Sequence, residues 1–237
     1  MYYVFQLLRS IVFTTLFFVV TVIFALLLVL VCWTPIRSRQ ALAKTWGNVL
    51  LWLLYRLCGL KHHVSGMEHL PPGAHISMWK HSSSWETIAQ VVVCPPQAWV
   101  LKREIMWIPI VGWAINLLRP IAINRSAGTS AVNKIVAQGK ERLSSGAWVV
   151  IFPEGTRMPD GETRKYGMSG ALLASRAGCK IVPVAHNAGK FWPRRGLLKK
   201  PGTIQVVIGP AIEAANRDPR SINADVQTWI EATMKTL

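Results

Sequence analysis

The chain has 237 residues, which is enough for one sizeable domain and an additional segment. It carries 27 Lys and Arg against 11 Asp and Glu, a formal net charge of +16, although 16% of its residues are charged and 51% are hydrophobic. This scarcity of acids in an apolar chain argues against a nucleic-acid-binding protein and favours an anionic membrane surface or a phosphorylated ligand as partner. The four cysteines show no CxxC spacing, so neither a disulfide framework nor a zinc site is predicted.

The first predicted element is a membrane helix in the uncharged segment Ser10–Trp33. At about 1.5 Å per residue this segment can cross a hydrocarbon core of about 30 Å. A cleaved signal peptide is the alternative, but the apolar run is too long and no small-residue cleavage site follows it. Only Arg9 precedes the segment, whereas three cations follow it, at Arg37, Arg39 and Lys44. This asymmetry predicts an inner-membrane protein whose remaining chain lies on the cytoplasmic face.

A second apolar stretch, Thr45–Leu60, is short and interrupted by Asn48 and Arg56. It is predicted to be a helix that lies in the membrane interface or forms a re-entrant hairpin with the first helix. An ordinary core helix is the alternative. The composition changes near residue 64, so the chain is divided into membrane-anchoring helices at 1–63 and an α/β domain at 64–237.

After this break, short β-rich runs alternate with helical patterns. Strands are predicted at 75–80, 98–102, 120–124, 148–152, 180–186 and 203–209. Helices are predicted at 85–92, 128–143, 168–177 and 223–236. The alternation predicts an α/β fold with a mostly parallel central sheet flanked by helices. Pro183 favours an edge or bulged position for its strand, and His186 is expected to be structural.

The string His81-Ser-Ser-Ser-Trp-Glu86 places an imidazole five residues before a carboxylate. On one continuous helix the two side chains would point about 140° apart, so they can meet only if the helix begins between them. Ser83-x-x-Glu86 has the spacing of a capping box, which supplies that start. Glu86 therefore either caps the helix or orients His81 as a general base, and this stretch alone leaves both interpretations open.

A second candidate segment, Ile151–Arg157, directly follows a buried-looking strand. Ligands of open α/β sheets bind at the carboxyl ends of strands, and Arg157 offers two parallel donors to a phosphate or carboxylate. A plain turn with an internal Glu154–Arg157 pair is the alternative. Two further predicted strands end in cations, at Lys102, Arg103 and Arg125, which singly would be ordinary surface charges.

Together these strings resemble the motifs of the glycerolipid acyltransferase family, in particular lysophosphatidate acyltransferases. The first family motif, His-x4-Asp, corresponds to His81–Glu86, with Glu in place of Asp. The Phe-Pro-Glu-Gly-Thr-Arg motif is matched in full by 152–157, and the other two correspond to Ile121–Arg125 and Val182–Val184. The resemblance covers roughly residues 64–210. Asn124 replaces an acid of the family pattern and Met158 a common Ser, which leaves the choice of acceptor open.

The resemblance implies transfer of a fatty acyl group from acyl-CoA or acyl carrier protein to the 2-hydroxyl of lysophosphatidate. It assigns proton removal to His81 and the orientation of His81 to Glu86. It assigns the acceptor's phosphate to three cations, Arg125, Arg157 and Lys102. It assigns the shape of the acceptor pocket to Glu154, Gly155 and Thr156. No metal ion or cofactor is expected, because the thioester is already activated.

Two rival functions stay open at this stage. One is a sister acyltransferase that acts on glycerol 3-phosphate or on another lyso-lipid. The other is a membrane-tethered protein without catalytic activity that binds anionic lipids through its basic surface. The His81–Glu86 pair argues against the second rival, whereas the arginines favour a phosphorylated acceptor without specifying it.

Overall fold

The computed structural model describes residues 2–237, in which seven strands form one sheet. The strands are β1 (Leu60–Ser65), β2 (Ile76–Trp79), β3 (Gln97–Lys102), β4 (Ile121–Ile123), β5 (Trp148–Ile151), β6 (Ile181–His186) and β7 (Gly202–Ile208). Their spatial order is β1-β7-β6-β2-β5-β3-β4. Every neighbouring pair is parallel except β6 and β7, which are antiparallel. The predicted α/β class with a mostly parallel sheet is confirmed.

Eight α-helices accompany the sheet within the described part of the chain. They are α1 (Tyr2–Leu30), α2 (Ile36–Cys58), α3 (Trp85–Val93), α4 (Val111–Asn116), α5 (Thr129–Ser144), α6 (Ser169–Ala177), α7 (Ala188–Phe191) and α8 (Pro219–Met234). Three 3₁₀ turns lie at Met67–His69, Arg103–Trp107 and Arg125–Ala127.

The core lies on both faces of the sheet because successive side chains of β2 point to opposite sides. Trp79 packs with α2 and α3 residues on one face, whereas Ile76 and Met78 pack with α5, α6 and α8 residues on the other. Strands buried on both faces carry nearly continuous apolar runs, as β5 and β6 do. The sheet is therefore the middle layer between two helical layers.

Helices α1 and α2 form an antiparallel hairpin that lies against the domain. By length and composition α1 can cross a membrane, with a mean hydropathy of 2.9 over its apolar window. Its N-terminal half contacts the 190–200 loop through Gln6, which donates to Lys199 O at 2.6 Å, and its C-terminal half packs with α2, α3 and α4. Helix α2 packs along α1 and also contributes Leu50 and Leu54 to the core, as the alternative interpretation expected. The rest of α1 is an exposed apolar face.

Two details of the sheet differ from the sequence-based expectation. Strand β1 was not predicted; it follows α2 after Gly59 and runs across the predicted division at residue 64. The expectation of an edge or bulge for Pro183 was wrong, because β6 is an interior strand between β7 and β2. The sheet accepts this proline because the Pro183 carbonyl faces Gly209 N, just beyond the end of β7. The missing N–H of Pro183 points the same way and therefore interrupts no ladder bond.

Candidate active site

The predicted site residues come together at one edge of the sheet. Strands β2, β5, β3 and β4 are adjacent and parallel, so their carboxyl ends lie side by side. His81 follows β2, the Glu154–Arg157 loop follows β5, Lys102 ends β3 and Arg125 follows β4. The topology therefore brings segments that are separated by up to 76 residues (157 − 81) to a single edge, which is where ligands of open α/β sheets bind.

His81 and Glu86 form a buried hydrogen-bonded pair. His81 Nδ1 donates to Glu86 Oε1 at 2.8 Å, and the same oxygen accepts the backbone N–H groups of Ser82 at 3.1 Å and Ser83 at 2.8 Å. Ser83 Oγ accepts from Trp85 N at the start of α3. One oxygen of Glu86 thus accepts both the backbone N–H groups that precede α3 and the N–H of the imidazole, so the two contacts that the sequence presented as alternatives occur together.

Contacts to its ring and to its main chain hold His81 in place, while one ring nitrogen stays available. The ring stacks on Phe152 with centroids 4.2 Å apart, and the main-chain carbonyl of His81 accepts Met158 N at 2.7 Å. With Nδ1–H donated to Glu86, the neutral ring carries its lone pair on Nε2. Within residues 2–237, Nε2 has no hydrogen-bond partner. This is the tautomer that a general base requires.

The charge of Glu86 is maintained although the side chain is fully buried. Burial acts to raise the pKa of Glu86, but hydrogen bonds from His81 and Ser83 and the proximity of His186 outweigh it, so that the pKa is lowered. Glu86 Oε2 lies 3.9 Å from His186 Nε2 and accepts no hydrogen bond from any described residue. The carboxylate therefore stays ionised and can stabilise an imidazolium at His81.

Glu154 is buried beneath the loop and uses both of its oxygens there. Oε1 accepts Lys80 Nζ at 2.8 Å, and Oε2 accepts the backbone N–H of His81 at 2.9 Å. Burial raises the pKa of Glu154 against the opposing effect of Lys80. Through this second contact Glu154 holds the backbone of His81 from the buried side of the site.

Lys80 is the center of an ion-pair network that sequence reasoning missed. Its ammonium is buried and contacts Glu154 on one side and Glu231 of α8 at 3.0 Å on the other. Glu231 also accepts the hydroxyl groups of Thr163 and Tyr166. A charged residue at the end of an otherwise apolar strand was the one available signal, but its partner 151 residues away could not be inferred from spacing.

The predicted phosphate-binding cations are only partly brought together. Arg125 donates to Gly155 O, and its pKa is lowered by burial and, to a smaller extent, by the charge of Arg157, against the opposing effect of Glu104. Two guanidinium groups that are close enough to repel each other favour an anion between them. Arg157 Nε is buried and has no partner in the described chain. Lys102 is half exposed, with its ammonium 3.8 Å from Glu104.

The turn that joins these groups depends on Gly155. Its φ of +67° lies in the left-handed region, which a side chain disfavours, and its N–H closes the turn on Phe152 O at 3.0 Å. Thr156 follows it half-buried. Gly155 is exposed at the surface, so the peptide that receives Arg125 is also open to a ligand.

An apolar cleft of about 250 Å³ leads away from the site. It begins at Phe152 and Thr87 and passes between α1 and α4, where Ala25, Leu28 and Leu118 line it. Among the described residues no group of three or more His, Cys, Asp or Glu is arranged to hold a metal ion.

An imidazole with a free ring nitrogen beside two guanidinium groups, at the mouth of an apolar cleft and next to an apolar surface helix, is suited to group transfer between amphiphilic molecules. The fold and site thus define a lipid-handling transferase of the α/β class. Residues 61–187, more than half of the chain, match the family model described as Acyltransferase, and the chain belongs to this family. The motif resemblance to acyltransferases is thereby confirmed.

Named relatives and a solved structure agree with this membership. The chain is 43% identical over 204 residues to a 1-acyl-sn-glycerol-3-phosphate acyltransferase of Pseudomonas aeruginosa, covering 84% of this chain and 79% of that protein. It is 26% identical to human 1-acyl-sn-glycerol-3-phosphate acyltransferase alpha, covering 84% of this chain and 71% of the relative. The crystal structure of an LPA acyltransferase from Thermotoga maritima superposes with a TM-score of 0.84 at 19% identity over 100% of this chain and 97% of that chain, which shows the shared fold.

Proposed function

We propose that the chain transfers a fatty acyl group from an acyl thioester to the 2-hydroxyl of lysophosphatidate, giving phosphatidate. The observation that carries this proposal is the 2.8 Å contact between His81 Nδ1 and Glu86 Oε1 at the sheet edge that also carries Arg125 and Arg157. The named activity of the Pseudomonas aeruginosa relative supports the same acceptor.

In the proposed reaction His81 Nε2 accepts the proton of the 2-hydroxyl while its oxygen attacks the thioester carbonyl. A C–O bond forms, and the tetrahedral intermediate collapses with loss of the C–S bond. The departing thiolate takes the proton from the imidazolium, so that a free thiol and an ester result. Glu86 stabilises the imidazolium during this cycle, and positioned proton transfer of this kind contributes about 10²–10⁴-fold in rate.

Arg125 and Arg157 are proposed to bind the acceptor's phosphate, with Lys102 at its outer side. Gly155 and Thr156 shape the pocket between them, and Glu154 positions His81 through its backbone. We expect Arg157→Ala to raise the KM for lysophosphatidate by roughly tenfold or more, because one charged hydrogen bond contributes about 1.5–3 kcal/mol. Initial rates with acceptor and donor varied separately measure this, and a larger rise in the donor KM would assign Arg157 to the thioester side.

The apolar cleft from Phe152 toward α1 is proposed to hold the acyl chain. Both the substrate and the product are bilayer lipids, and exposing an acyl chain to water costs about 0.8 kcal/mol per CH₂. A cleft bounded by the apolar helix α1 lets a chain enter from the side of the membrane. No metal ion or cofactor is proposed to take part, so activity should persist in EDTA.

The deciding experiment measures acyl transfer from labelled acyl-CoA to lysophosphatidate in detergent by the full chain and by His81→Ala. We expect the variant to lose about 10²–10⁴-fold in kcat while it remains folded. Equal transfer by both proteins would remove His81 from the mechanism. Glycerol 3-phosphate and other lyso-lipids as acceptors, and acyl carrier protein as donor, identify the preferred pair of substrates.

We propose that α1 and α2 anchor the α/β domain to the cytoplasmic face of the inner membrane, with residues 1–63 as the anchoring part. The exposed apolar face of α1 and the cations that follow it support this arrangement. Labelling of single-cysteine variants with a membrane-impermeant maleimide tests it, with a cysteine at the exposed position Lys235 in a background that lacks the four native thiols. Labelling in inside-out vesicles is expected, and labelling only in right-side-out vesicles would reverse the orientation.

A further inference from the structure

A larger cavity of about 610 Å³ lies at the opposite edge of the sheet from His81. It is bounded by Gln97 and Ala98 at the start of β3, by Ala147 just before β5, and by the first turns of α2. These are amino ends of parallel strands, whereas the catalytic groups follow carboxyl ends. The cavity shares the side chains of Ala43, Trp99 and Leu118 with the apolar cleft, but it contains none of the groups proposed to act on the reacting atoms or on the acceptor's phosphate.

The cavity is cationic and its cations are incompletely paired. Arg119 and Arg142 line it and share Glu141, so this trio keeps one net positive charge. Arg37 and Lys44 of α2 also line it and are exposed. In the described chain neither of them has a carboxylate within 4.0 Å or a side-chain hydrogen bond. Two free cations beside a positive trio make this cavity a site for an anion.

A buried acceptor in the cavity wall indicates a second feature of the ligand. Gln97 is 4% exposed, and its amide nitrogen donates to Gln90 O at 2.9 Å. Its amide oxygen is buried and, within residues 2–237, receives no hydrogen bond. A buried acceptor without a donor costs about 1–3 kcal/mol, and a rotation of the Gln97 side chain that exposes this oxygen to the cavity would let a ligand hydroxyl remove the cost. The wall thus combines groups for a phosphate with an acceptor for a hydroxyl.

The position of the cavity relative to α1 indicates where such a ligand would come from. The apolar helix ends at Leu30, and the turn that leads into α2 carries Trp33, which is 78% exposed. Exposed tryptophan at the end of an apolar helix is typical of the head-group level of a membrane. The first cation of the cavity, Arg37, follows within a few residues. A lipid lying beside α1 would bring its phosphate to this level.

We propose that this cavity binds a phosphate ester that carries a free hydroxyl, with the phosphate at Arg37 and Lys44 and the hydroxyl at Gln97 Oε1. The glycerol head group of an anionic phospholipid has this chemistry, and so does soluble glycerol 3-phosphate. Apolar walls at Ile36 and Leu118 favour the lipid, because they can cover the glycerol backbone above the head group. The site would give the protein a preference among anionic lipids in addition to general attraction by its net charge.

The test measures the thermal midpoint of the full chain in a neutral detergent with four added probes. Phosphatidylglycerol offers the charge and the hydroxyls, phosphatidylmethanol the charge alone, phosphatidylcholine neither, and glycerol 3-phosphate is the soluble source. We expect phosphatidylglycerol to raise the midpoint most, since a ligand that binds only the folded state stabilises it. A comparable rise with glycerol 3-phosphate alone would support the site and identify the soluble source.

Variants separate this cavity from the rest of the basic surface. Arg37→Gln with Lys44→Gln should remove the midpoint shift, whereas Lys134→Gln with Arg220→Gln, which removes the same charges from exposed positions elsewhere, should keep it. Gln97→Leu should abolish the preference for phosphatidylglycerol over phosphatidylmethanol. Each shift is measured relative to the lipid-free midpoint of the same variant. If Gln97→Leu folds poorly, the Arg37→Gln, Lys44→Gln variant still tests the charges of the cavity.

Three outcomes would overturn the proposal. Equal shifts with phosphatidylglycerol and phosphatidylmethanol in the unmodified chain would remove the hydroxyl site. Equal loss of the shift in the cavity pair and in the control pair would reduce the effect to general electrostatics. A shift that survives the cavity pair but is lost in Arg157→Gln would assign the lipid to the catalytic edge, and this result leaves the proposed reaction intact.

Discussion

A single carboxylate oxygen of Glu86 joins helix capping to the orientation of His81. The sequence presented these two roles as alternatives, because residue spacing cannot show that one carboxylate oxygen accepts three donors. The residue types and the turn between them were nevertheless predictable from the capping-box pattern. The distance of 3.9 Å between Glu86 Oε2 and His186 Nε2 was not predictable, because β6 lies about a hundred residues further along the chain.

Glu86→Gln tests the orienting role. Glutamine can keep one acceptor for the helix start, but it supplies no negative charge to an imidazolium at His81. We expect kcat to fall about 10²-fold or more with little change in either KM, and to remain above the kcat of His81→Ala. Steady-state kinetics of the two variants side by side measure this. Equal losses in both would mean that the carboxylate does more than orient the ring.

His186 provides a pH-dependent contribution to stability. Burial lowers its pKa from 6.5, opposed by Glu86 and assisted by the charges of His81 and Lys80. The unfolded chain therefore binds a proton at this residue below pH 6.5 that the folded chain does not, and the free energy of unfolding falls as the pH decreases from there. Thermal midpoints between pH 7.5 and 5 should decline less steeply in His186→Gln. His62, whose pKa burial also lowers, adds to the slope in both proteins.

At the scale of elements, six of the strands and the helices α3, α5, α6 and α8 were predictable because their apolar periodicity is strong, whereas the short helices α4 and α7 were not predicted. Strand β1 was missed because only its first residue is fully buried and the rest is largely polar, as expected for an edge strand that relies on β7 for its pairing. The position of β6 was mispredicted because a proline is unfavourable inside a sheet only where its missing N–H would have donated a hydrogen bond to the neighbouring strand. At Pro183 the N–H would point toward Gly209, beyond the end of β7, so its absence removes no bond between the paired residues of the two strands.

Helix α8 closes the fold and reaches the site through one residue. Glu231 binds Lys80, and Lys80 binds the Glu154 carboxylate that holds the backbone of His81. The helix itself was predicted from its pattern, but a contact between residues 80 and 231 depends on the tertiary fold. The structure therefore links the last helix to the Glu154–Arg157 loop by two successive ion pairs.

Glu231→Ala tests this link. Lys80 would keep Glu154 but lose a second carboxylate, and we expect the free energy of unfolding to fall by about 1–3 kcal/mol with a lower kcat. Glu213→Ala is the matched control, because Glu213 pairs with Lys180 at the surface and such pairs contribute about 0–1 kcal/mol. Denaturant unfolding and kinetics on all three proteins give the comparison. Similar small effects in both variants would show that α8 does not support the loop.

For the whole molecule, composition and structure lead to the same conclusion about the membrane. Acids are scarce among the exposed residues of α1 and α2, and the described surface carries large apolar side chains along α1. The exposed residues Trp107 and Trp113 extend this surface beside α1 at the β3–β4 end of the sheet. The sequence predicted an apolar helix there, but not that the helix lies lengthwise on the domain, because that depends on contacts with α4 and the 190–200 loop.

Trp107→Ser with Trp113→Ser tests whether this apolar surface contacts the bilayer. Insertion of two indole rings contributes several kcal/mol by the transfer of apolar area, so we expect activity on lysophosphatidate in vesicles to fall about tenfold or more. Activity on the same substrate dispersed in detergent micelles should change little, since the site edge at His81 is intact. Met67→Ser is the control, because Met67 is also exposed but lies next to β1, at the far end of the sheet. Equal losses in vesicles and in micelles would mean that the tryptophans support the fold or the site, and the apolar surface would then have to be assigned to α1 alone.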